Sequence, residues 1–356
     1  MSDLLLKKNP TRGQKRRAKA WKQAGITVLV LAILLTFLLP LFYGASMSIK
    51  SKEQIAALDS SLIPRSASTF PYEGQDLPIY EVPQPDGTVK EFALLDKTRA
   101  SATLVDPAHP EAPAVVWQGS WRTLKPVTHA DPQWQNYPKA WTAIDFLLLL
   151  KNTALYGLVT TIGTVLSSSL VAYGFARFRF PGKNAIFFVL IATIILPPAV
   201  TLIPTYAFFF RIGWVGTWLP LMVPSFFANA YNVFLLRQFI LGIPRELDEA
   251  AKIDGAGPIR TFYTIIVPQS LPAIIAVSLF NFFFCWNDFF GPLIYLAGHP
   301  ELQPISLGLT QFNNMYTTQT HLVQAAALLA CALPLVVFFS AQKFFMQGVV
   351  TTGVDK

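Results

Sequence analysis

The feature that most constrains this chain is a run of residues, 25–47, that contains no charged side chain. A helix rises about 1.5 Å per residue, so a run of this length covers a hydrocarbon core about 30 Å thick. Pro40 predicts a kink near the outer end of this helix. Comparable apolar runs follow at 152–176, 184–210, 219–236, 269–296 and 321–342. The sequence therefore predicts an all-α polytopic membrane protein with six transmembrane helices.

Composition and charge agree with a membrane protein. Hydrophobic residues make up 53% of the chain and charged residues only 13%, whereas a soluble domain has about 25% charged residues. The net charge of +8 does not predict nucleic-acid binding, because the basic residues cluster at the predicted membrane edges. The two cysteines, Cys285 and Cys331, both lie in apolar runs and show no metal-ligand spacing.

The distribution of basic residues predicts the orientation. Residues 1–24 hold eight Lys or Arg and one acid, Asp3, whereas the turns at 211–218 and 296–320 together hold one basic residue, Arg211. Basic residues stay on the cytoplasmic side. We therefore expect a multi-pass membrane protein with both termini in the cytoplasm.

These patterns divide the chain into five segments. They are a basic cytoplasmic tail, the first transmembrane helix, an extracytoplasmic insert, a five-helix core and a second cytoplasmic tail, at 1–24, 25–47, 48–145, 146–343 and 344–356. The core includes a cytoplasmic loop at 240–268.

The insert differs from the rest of the chain in composition. Residues 50–145 carry nine Lys or Arg and twelve Asp or Glu and have no apolar run that could span a membrane. Alternating patterns predict strands at 79–82 and 88–92 around the turn signal Pro85-Asp86-Gly87, and two more at 102–105 and 114–117. We expect a small β-rich extracytoplasmic insert, either a structural cap or a docking platform.

The stretch 244–268 is polar in its first half and lies between two long apolar runs. It predicts two short helices that are separated at Gly255-Ala256-Gly257, with Pro258 in the first helical position of the second. On the first helix, spacing places these residues on one side: Leu247, Ala250, Ala251 and Asp254. On the second helix, the same spacing predicts a single apolar stripe: Ile259, Phe262, Tyr263 and Ile266.

This stretch resembles the EAA loop of ABC-importer permeases. The matching features are Glu249-Ala250-Ala251, then Gly255, Ile265 and Val267-Pro268 at the family's spacing. The sequence EAAKIDGA is similar to the carbohydrate-uptake branch, that is, the maltose-type second permease. Gly257 stands where that family often has Ser. The resemblance implies that a cytoplasmic helix-turn-helix seats in an ATPase subunit through these residues: Glu249, Ala250, Ala251, Asp254, Gly255, Ala256, Phe262 and Pro268.

A second resemblance lies in the fifth apolar run. The segment WNDFFGPL, which includes Asn287 and Asp288, is similar to the WNDF segment of the same permeases. An Asp inside a span costs about 2.5–3.5 kcal/mol on insertion scales, so it should face protein or water. Candidate residues for the substrate path are Asn229, Tyr231, Asn232, Asn281, Trp286, Asn287 and Asp288. The alternative is that these groups only bond neighbouring helices.

The C-terminal segment also resembles the family, in which a glycine-containing tail reaches the ATPase dimer. The matching residues are Gln347, Gly348 and Gly353. The alternative is a frayed tail without a partner.

Phosphate-binding and catalytic motifs do not occur in the sequence. The pattern G-x-x-x-x-G-K-[ST] is missing, so we expect no cofactor on this chain and ATP hydrolysis by a separate subunit. The four histidines (His109, His129, His299 and His321) are scattered and predict neither a metal site nor a catalytic triad. The chain is therefore expected to be a transport subunit and not an enzyme.

The resemblance implies the function and the partners. We expect a permease subunit of an ATP-driven importer for a sugar or oligosaccharide, in a bacterial or archaeal plasma (inner) membrane. Its partners would be a second homologous permease, two ATPase subunits, an extracytoplasmic sugar-binding protein and the lipid bilayer. Three alternatives stay open at this point: an ion-coupled secondary transporter, a membrane-anchored receptor, and an ABC permease for a peptide, polyol or other non-sugar solute.

Overall fold

The chain divides into two compact units, Met1–Trp134 and Gln135–Lys356. The structure is a computed structural model, and it describes residues 12–57, 61–84, 87–98, 100–313 and 318–350. Each unit has its own core and is described by itself below.

The first unit begins with a long helix, α1 (Arg12–Ser48), whose apolar part runs from Lys19 to Ser48. The first predicted transmembrane segment is thus a helix, and Pro40 lies inside it. The short helix α2 (Lys52–Ala56) follows. The hydroxyl of its N-cap Ser51 accepts from the backbone N–H of Gln54, whose side chain accepts in turn from the N–H of Ser51.

The rest of the first unit is a β region with its own apolar core. The strands are β1 (Arg65–Ala67), β2 (Thr69–Tyr72), β3 (Gln75–Pro83), β4 (Val89–Lys97), β5 (Ser101–Val105), β6 (Val115–Gln118), β7 (Lys125–Pro126) and β8 (Thr128–Ala130). Strands β2 to β6 form an antiparallel sheet in chain order, β7 pairs with β3, and β1 pairs with β8. Alternate side chains enclose the core: Val82, Phe92, Leu94, Ala102, Leu104 and Leu124.

The strands expected from sequence occur at the expected places, as β3, β4, β5 and β6. The sequence patterns missed the other four, because strands of two to four residues give too little alternation to recognise. They also missed the tight turn at Glu73-Gly74, where both residues have positive φ, as a two-residue hairpin requires. Of the expected turn Pro85-Asp86-Gly87, the first two residues lie outside the described part of the chain.

The second unit is helical. Its α-helices are α3 (Asn136–Ala143), α4 (Phe146–Arg177), α5 (Lys183–Ala192), α6 (Pro198–Arg211), α7 (Leu219–Met222), α8 (Ala230–Leu241), α9 (Glu246–Ile253), α10 (Pro258–Thr261), α11 (Val267–Gln269), α12 (Leu271–Asn287), α13 (Phe290–Tyr295), α14 (Ile305–Gly308) and α15 (Thr320–Val350). One π-helical segment, Phe262–Ile266, joins α10 to α11.

The apolar helices are not all straight. Among the described residues, four stretches are long and apolar enough to cross a membrane: Lys19–Ser48, Phe146–Arg177, Leu219–Leu241 and Thr320–Gln342. Two further pairs are bent, Lys183–Ile195 with Pro198–Arg211 by 99° and Pro258–Gln269 with Leu271–Asn287 by 78°. Prolines lie at or next to both breaks and remove backbone donors there. Six crossings result if each bent pair counts as one.

Helix α4 occupies the centre of the helical unit and packs against α8 and α12. It contains no proline, and its small residues let neighbours approach closely. A Cβ atom on Gly157 would lie 3.0 Å from the Phe282 ring, and one on Gly163 would lie 2.7 Å from Ser225 Oγ. Glycine at these two positions sets the distance between α4 and its neighbours.

We predict opposite effects for two Gly→Ala substitutions on α4. In Gly163→Ala the new methyl group would overlap Ser225 and the Phe226 ring, which should destabilise the protein by about 1–3 kcal/mol. Gly174→Ala places its methyl group in open space and should stabilise the helix by up to about 1 kcal/mol. Thermal unfolding midpoints of the purified protein in detergent measure both, and equal midpoints would contradict the packing described here.

Candidate functional site

The residues expected to contact an ATPase form a helical hairpin. Helix α9 carries three acids in its first turn, where the helix dipole favours negative charge. The chain then reverses at Gly255, whose φ of +75° lies in the left-handed region that favours glycine. Glu249, Ala250 and Asp254 are exposed, whereas Ala251 is buried and Ala256 is half-buried. The exposed acids are thus free to meet another protein.

The second half of the hairpin has two faces instead of one apolar stripe. Phe262 and Ile266 are buried, whereas Ile259 and Tyr263 are 75% and 55% exposed. Sequence spacing placed all four on one stripe. In the structure the two buried residues lie four positions apart on one face of the helix, and the two exposed residues lie four positions apart on another face. One face therefore anchors the hairpin, and the other faces outward.

The π-helical segment has a local cause. Pro268 has no backbone N–H, so the regular helical bond to the carbonyl four residues earlier cannot form. In the turn just before the proline, the N–H of Val267 donates to the carbonyl of Phe262, five residues earlier instead of four. This widened turn accommodates the proline without ending the helix. The ring of Pro268 is exposed, so its effect in this structure is on the backbone hydrogen bonds of the hairpin.

The hairpin is attached to the C-terminal end of α4. Arg177 Nε forms an ion pair with Asp248 Oδ2 at 2.8 Å, and Arg177 Nη2 donates to the Ile243 carbonyl at 2.9 Å. The hydroxyl of Tyr173 donates to the Pro258 carbonyl at 3.3 Å. A cavity of about 490 Å³ between α4 and the hairpin is lined by Tyr173, Arg177, Asp248 and Pro258, among others. Neither Arg177 nor its pairing with Asp248 was identified from the sequence.

A second cavity lies in the middle of the helical unit. It encloses about 650 Å³, and four candidate residues for the substrate path line it: Asn229, Tyr231, Asn232 and Asn281. Hydroxyl groups that sequence reasoning missed line it as well: Tyr156, Thr160, Thr164, Thr193 and Ser225. Their signal in the sequence was the four-residue spacing of Tyr156, Thr160 and Thr164, which places them on one face of α4. All the lining residues are uncharged.

Hydrogen bonds fix the amides of this cavity. Asn229 caps α8, since its Oδ1 accepts from the backbone N–H groups of Tyr231 and Asn232. Asn281 Oδ1 accepts from the Thr164 hydroxyl at 3.2 Å, and its Nδ2 donates to Thr161 at 3.1 Å. Hydrogen bonds between polar side chains therefore join α4 to α12 along the cavity wall, and we call this row of groups (Thr161, Thr164 and Asn281) the polar seam.

The three substrate-path candidates within the WNDF segment do not line this cavity. Trp286 is buried in a separate apolar cluster with Phe282. Asn287 is exposed, and its Nδ2 donates to the Phe283 carbonyl of its own helix. Asp288 ends α12 and is half-buried. The structure does not bring this segment together with the amides, so its role in the path stays a prediction.

Asp288 connects several elements of the helical unit. Its Oδ2 accepts from the Tyr156 hydroxyl at 2.8 Å, and its Oδ1 accepts from the Gly291 N–H at 3.1 Å. Its backbone carbonyl accepts from Ser306 Oγ at 2.6 Å. A Cβ atom on Gly291 would lie 2.6 Å from Asp288 Oδ2, so only glycine fits there. The carboxylate thereby ties α12 to α4 and to the start of α13.

The C-terminal candidates lie at the edge of the described chain. The backbone of Gln347 and Gly348 belongs to α15. Gly353 lies outside the described residues. A contact of this tail with an ATPase stays a prediction.

The fold and the two sites define a helical membrane permease. Residues 145–350 match the family described as the inner membrane component of binding-protein-dependent transport systems, and the chain belongs to that family. The resemblance to ABC-importer permeases is thus confirmed, and the chain is a transport subunit and not an enzyme. The ion-coupled transporter and the receptor are not supported.

Individual relatives agree with this assignment. The osmoprotective compounds uptake permease of Synechocystis is 30% identical over 204 residues, which cover 57% of this chain and 68% of that protein. The sn-glycerol-3-phosphate transport system permease of Pectobacterium atrosepticum is 32% identical over 243 residues, 64% of this chain and 82% of that protein.

The fold also matches a solved structure. A chain of a bacterial ABC transporter involved in the import of the acidic polysaccharide alginate superposes with a TM-score of 0.64 and 18% identity. The match covers 94% of this chain and 99% of that one. At this identity the likeness concerns the fold.

We predict that Asp288 stabilises the helical unit. Asp288→Ala leaves the buried Tyr156 hydroxyl and the Gly291 N–H without their acceptor, which should cost about 1–3 kcal/mol. Asn287→Ala is the matched control, since its side chain is exposed and bonds only its own helix; its effect should stay within about 0.5 kcal/mol. Unfolding midpoints in detergent measure both. A loss no larger than that of the control would refute the role of Asp288.

Proposed function

We propose that this permease imports a neutral, polyhydroxylated solute such as a sugar, an oligosaccharide or a polyol. The observation that carries the proposal is the 650 Å³ cavity, whose lining is made of hydroxyls, amides and aromatic or apolar groups without a charge. Amides and hydroxyls both donate and accept hydrogen bonds, as sugar hydroxyls do. The exposed ring of Tyr231 adds a flat apolar surface.

The relatives' names suggest two kinds of cargo, an anionic solute and a neutral one. The absence of charge in the described lining distinguishes between them. A phosphate-bearing or carboxylate-bearing solute needs a compensating cation when it leaves water. The described lining offers none, so it favours a neutral solute over an anion such as glycerol 3-phosphate. A non-sugar neutral solute, for example an osmoprotective compound, is the second candidate.

We also propose a topology of six crossings with both termini in the cytoplasm. The bent pair Lys183–Ile195 with Pro198–Arg211 counts as one crossing in this arrangement. In the second bent pair α12 makes the crossing, and Pro258–Gln269 belongs to the hairpin. The excess of Lys and Arg in residues 1–24 supports a cytoplasmic N-terminus. The hairpin around Gly255 then faces the cytoplasm, and the β region at 65–130 lies outside, as a cap or as a platform for a binding protein.

The partners follow from this topology. The exposed acids of α9 and the outward face at Ile259 and Tyr263 would meet an ATPase subunit that binds and hydrolyses ATP. The tail residues Gln347, Gly348 and Gly353 would reach the same ATPase dimer. A second homologous permease would complete the path, and an extracytoplasmic binding protein would deliver the solute. ATP binding would then move the hairpin and open the cavity to the opposite side.

We predict that the ATPase binds through Glu249. Purification of the wild type in mild detergent should bring down an ATPase and a second permease, and Glu249→Lys should lose the ATPase because a charge reversal opposes the contact. Glu91→Lys, an equal charge change at an exposed site on β4, is the control and should keep the ATPase and the second permease. A wild type that purifies alone, or a Glu249→Lys complex with full ATPase activity, would contradict the proposal.

We predict preferential uptake of neutral cargo. Cells that express the complete importer should take up at least one neutral sugar or polyol from a labelled panel that includes maltose, trehalose and sorbitol, and should not take up labelled glycerol 3-phosphate. Asn281→Asp introduces a charge into the cavity and should lower this uptake by about tenfold or more, since a buried unpaired charge costs well over 1.4 kcal/mol. Uptake of the anion alone would exclude a neutral cargo.

A further inference from the structure

Helix α4 connects the cavity with the hairpin. Tyr156, Thr160 and Thr164 in its middle line the cavity, whereas Tyr173 and Arg177 at its end hold the hairpin. The 17 positions from Thr160 to Arg177 correspond to about 26 Å along the helix axis. The same proline-free helix therefore contacts both candidate sites.

The covalent route from the hairpin to the cavity is bent. The hairpin continues through α11 into α12, which lines the other side of the cavity, but the helices turn by 78° near Ser270. A bend of this kind can absorb a displacement instead of passing it on. The side-chain route through α4 has no such break.

Arg177 holds two parts of the hairpin at once. Its side chain is 7% exposed and contacts Asp248 on α9 and the carbonyl of Ile243, just before the hairpin begins. Apolar packing of Phe262 and Ile266 supports the same attachment. Apolar packing has no fixed direction, whereas the ion pair and the hydrogen bond fix the position of α9 against α4.

The ion pair is incomplete in this structure. Arg177 Nε, Arg177 Nη1 and Asp248 Oδ1 are buried and form no hydrogen bond among the described residues, so the 2.8 Å approach of Nε to Oδ2 is an ion-pair contact without hydrogen-bond geometry. A guanidinium and a carboxylate can form two parallel contacts, and only the Nε–Oδ2 contact is present here. A small shift of α9 against α4 could therefore change the pairing, which is a property of elements with two arrangements.

We propose that Arg177 is a positioning residue that, through Asp248, fastens the hairpin to α4 and passes hairpin movement along α4 to the cavity wall. This rests on the proposed function, since the movement would come from a nucleotide-driven partner. Arg177 and Asp248 would then be required for coupling but not for binding of that partner, which falls to the exposed residues of the hairpin.

The experiment follows the accessibility of Cys285, which lines the cavity and is buried. The complete complex is purified in a Cys331→Ser background, and the rate of labelling of Cys285 by N-ethylmaleimide is measured without nucleotide and with ATP and vanadate. The ratio of the two rates reports how strongly nucleotide acts on the cavity. Co-purified ATPase is quantified in every sample.

We expect nucleotide to change the rate about fivefold or more in the parent protein, a typical coupling between distant sites. Each of the two single variants, Arg177→Glu or Asp248→Arg, should bring the ratio of labelling rates close to one while the ATPase stays bound. The double exchange, Arg177→Glu with Asp248→Arg, should restore most of the ratio. Arg179→Glu, an equal charge change at an exposed position two residues away, should leave it unchanged.

Milder variants keep the test decisive if complexes that contain the charge-reversed variants fail to assemble. Arg177→Lys keeps the charge but loses the planar fork, and Asp248→Asn keeps the shape but loses the charge, so both should reduce the ratio. The proposal is overturned if these variants, with ATPase bound, keep the full ratio of the parent. A parent complex without ATPase or without any nucleotide response contradicts the importer function itself, and the inference with it.

Discussion

The packing of α4 against α8 and α12 is the constraint on which the helical unit depends. The contact is possible because Gly157 and Gly163 bring α4 close to its neighbours, where any side chain would overlap Phe282 or Ser225. The same proximity aligns Thr164 with Asn281, so the polar seam of the cavity follows from the close backbone approach. The hairpin depends on this helix as well, since its buried face packs against the end of α4.

Two kinds of polar group share the interior, and they behave differently. Asp288 is fully bonded, because both carboxylate oxygens and the carbonyl accept hydrogen bonds, and it therefore holds elements in place. The Arg177–Asp248 pair leaves buried atoms without partners, and it lies where the protein is expected to move. A polar group whose oxygens all have hydrogen-bond partners favours one fixed arrangement of the helices it joins. A pair that leaves buried atoms without partners can exchange between two arrangements.

Much of the fold could be predicted from the sequence, because long charge-free runs and the Gly255 turn have strong local signals. Alternation likewise located β3 to β6. The bend near Ser270 was not predicted, since apolar runs do not reveal whether a proline kinks a helix or breaks it. The split of Ile259, Phe262, Tyr263 and Ile266 into two faces arises from contact with α4. The Arg177–Asp248 pair joins residues 71 positions apart, so local sequence could not reveal it.

Close contacts at Gly157 and Gly163 hold α4 on either side of Thr160, whereas Arg177 lies 14 positions beyond Gly163, about 21 Å along the helix axis. The helix is therefore arranged like a cantilever, with a clamped end at the cavity and a long arm that ends at the hairpin. Bending under a load at the far end of a cantilever is strongest beside the clamp. For α4 that position is Thr164, which is hydrogen-bonded to Asn281 in the cavity wall.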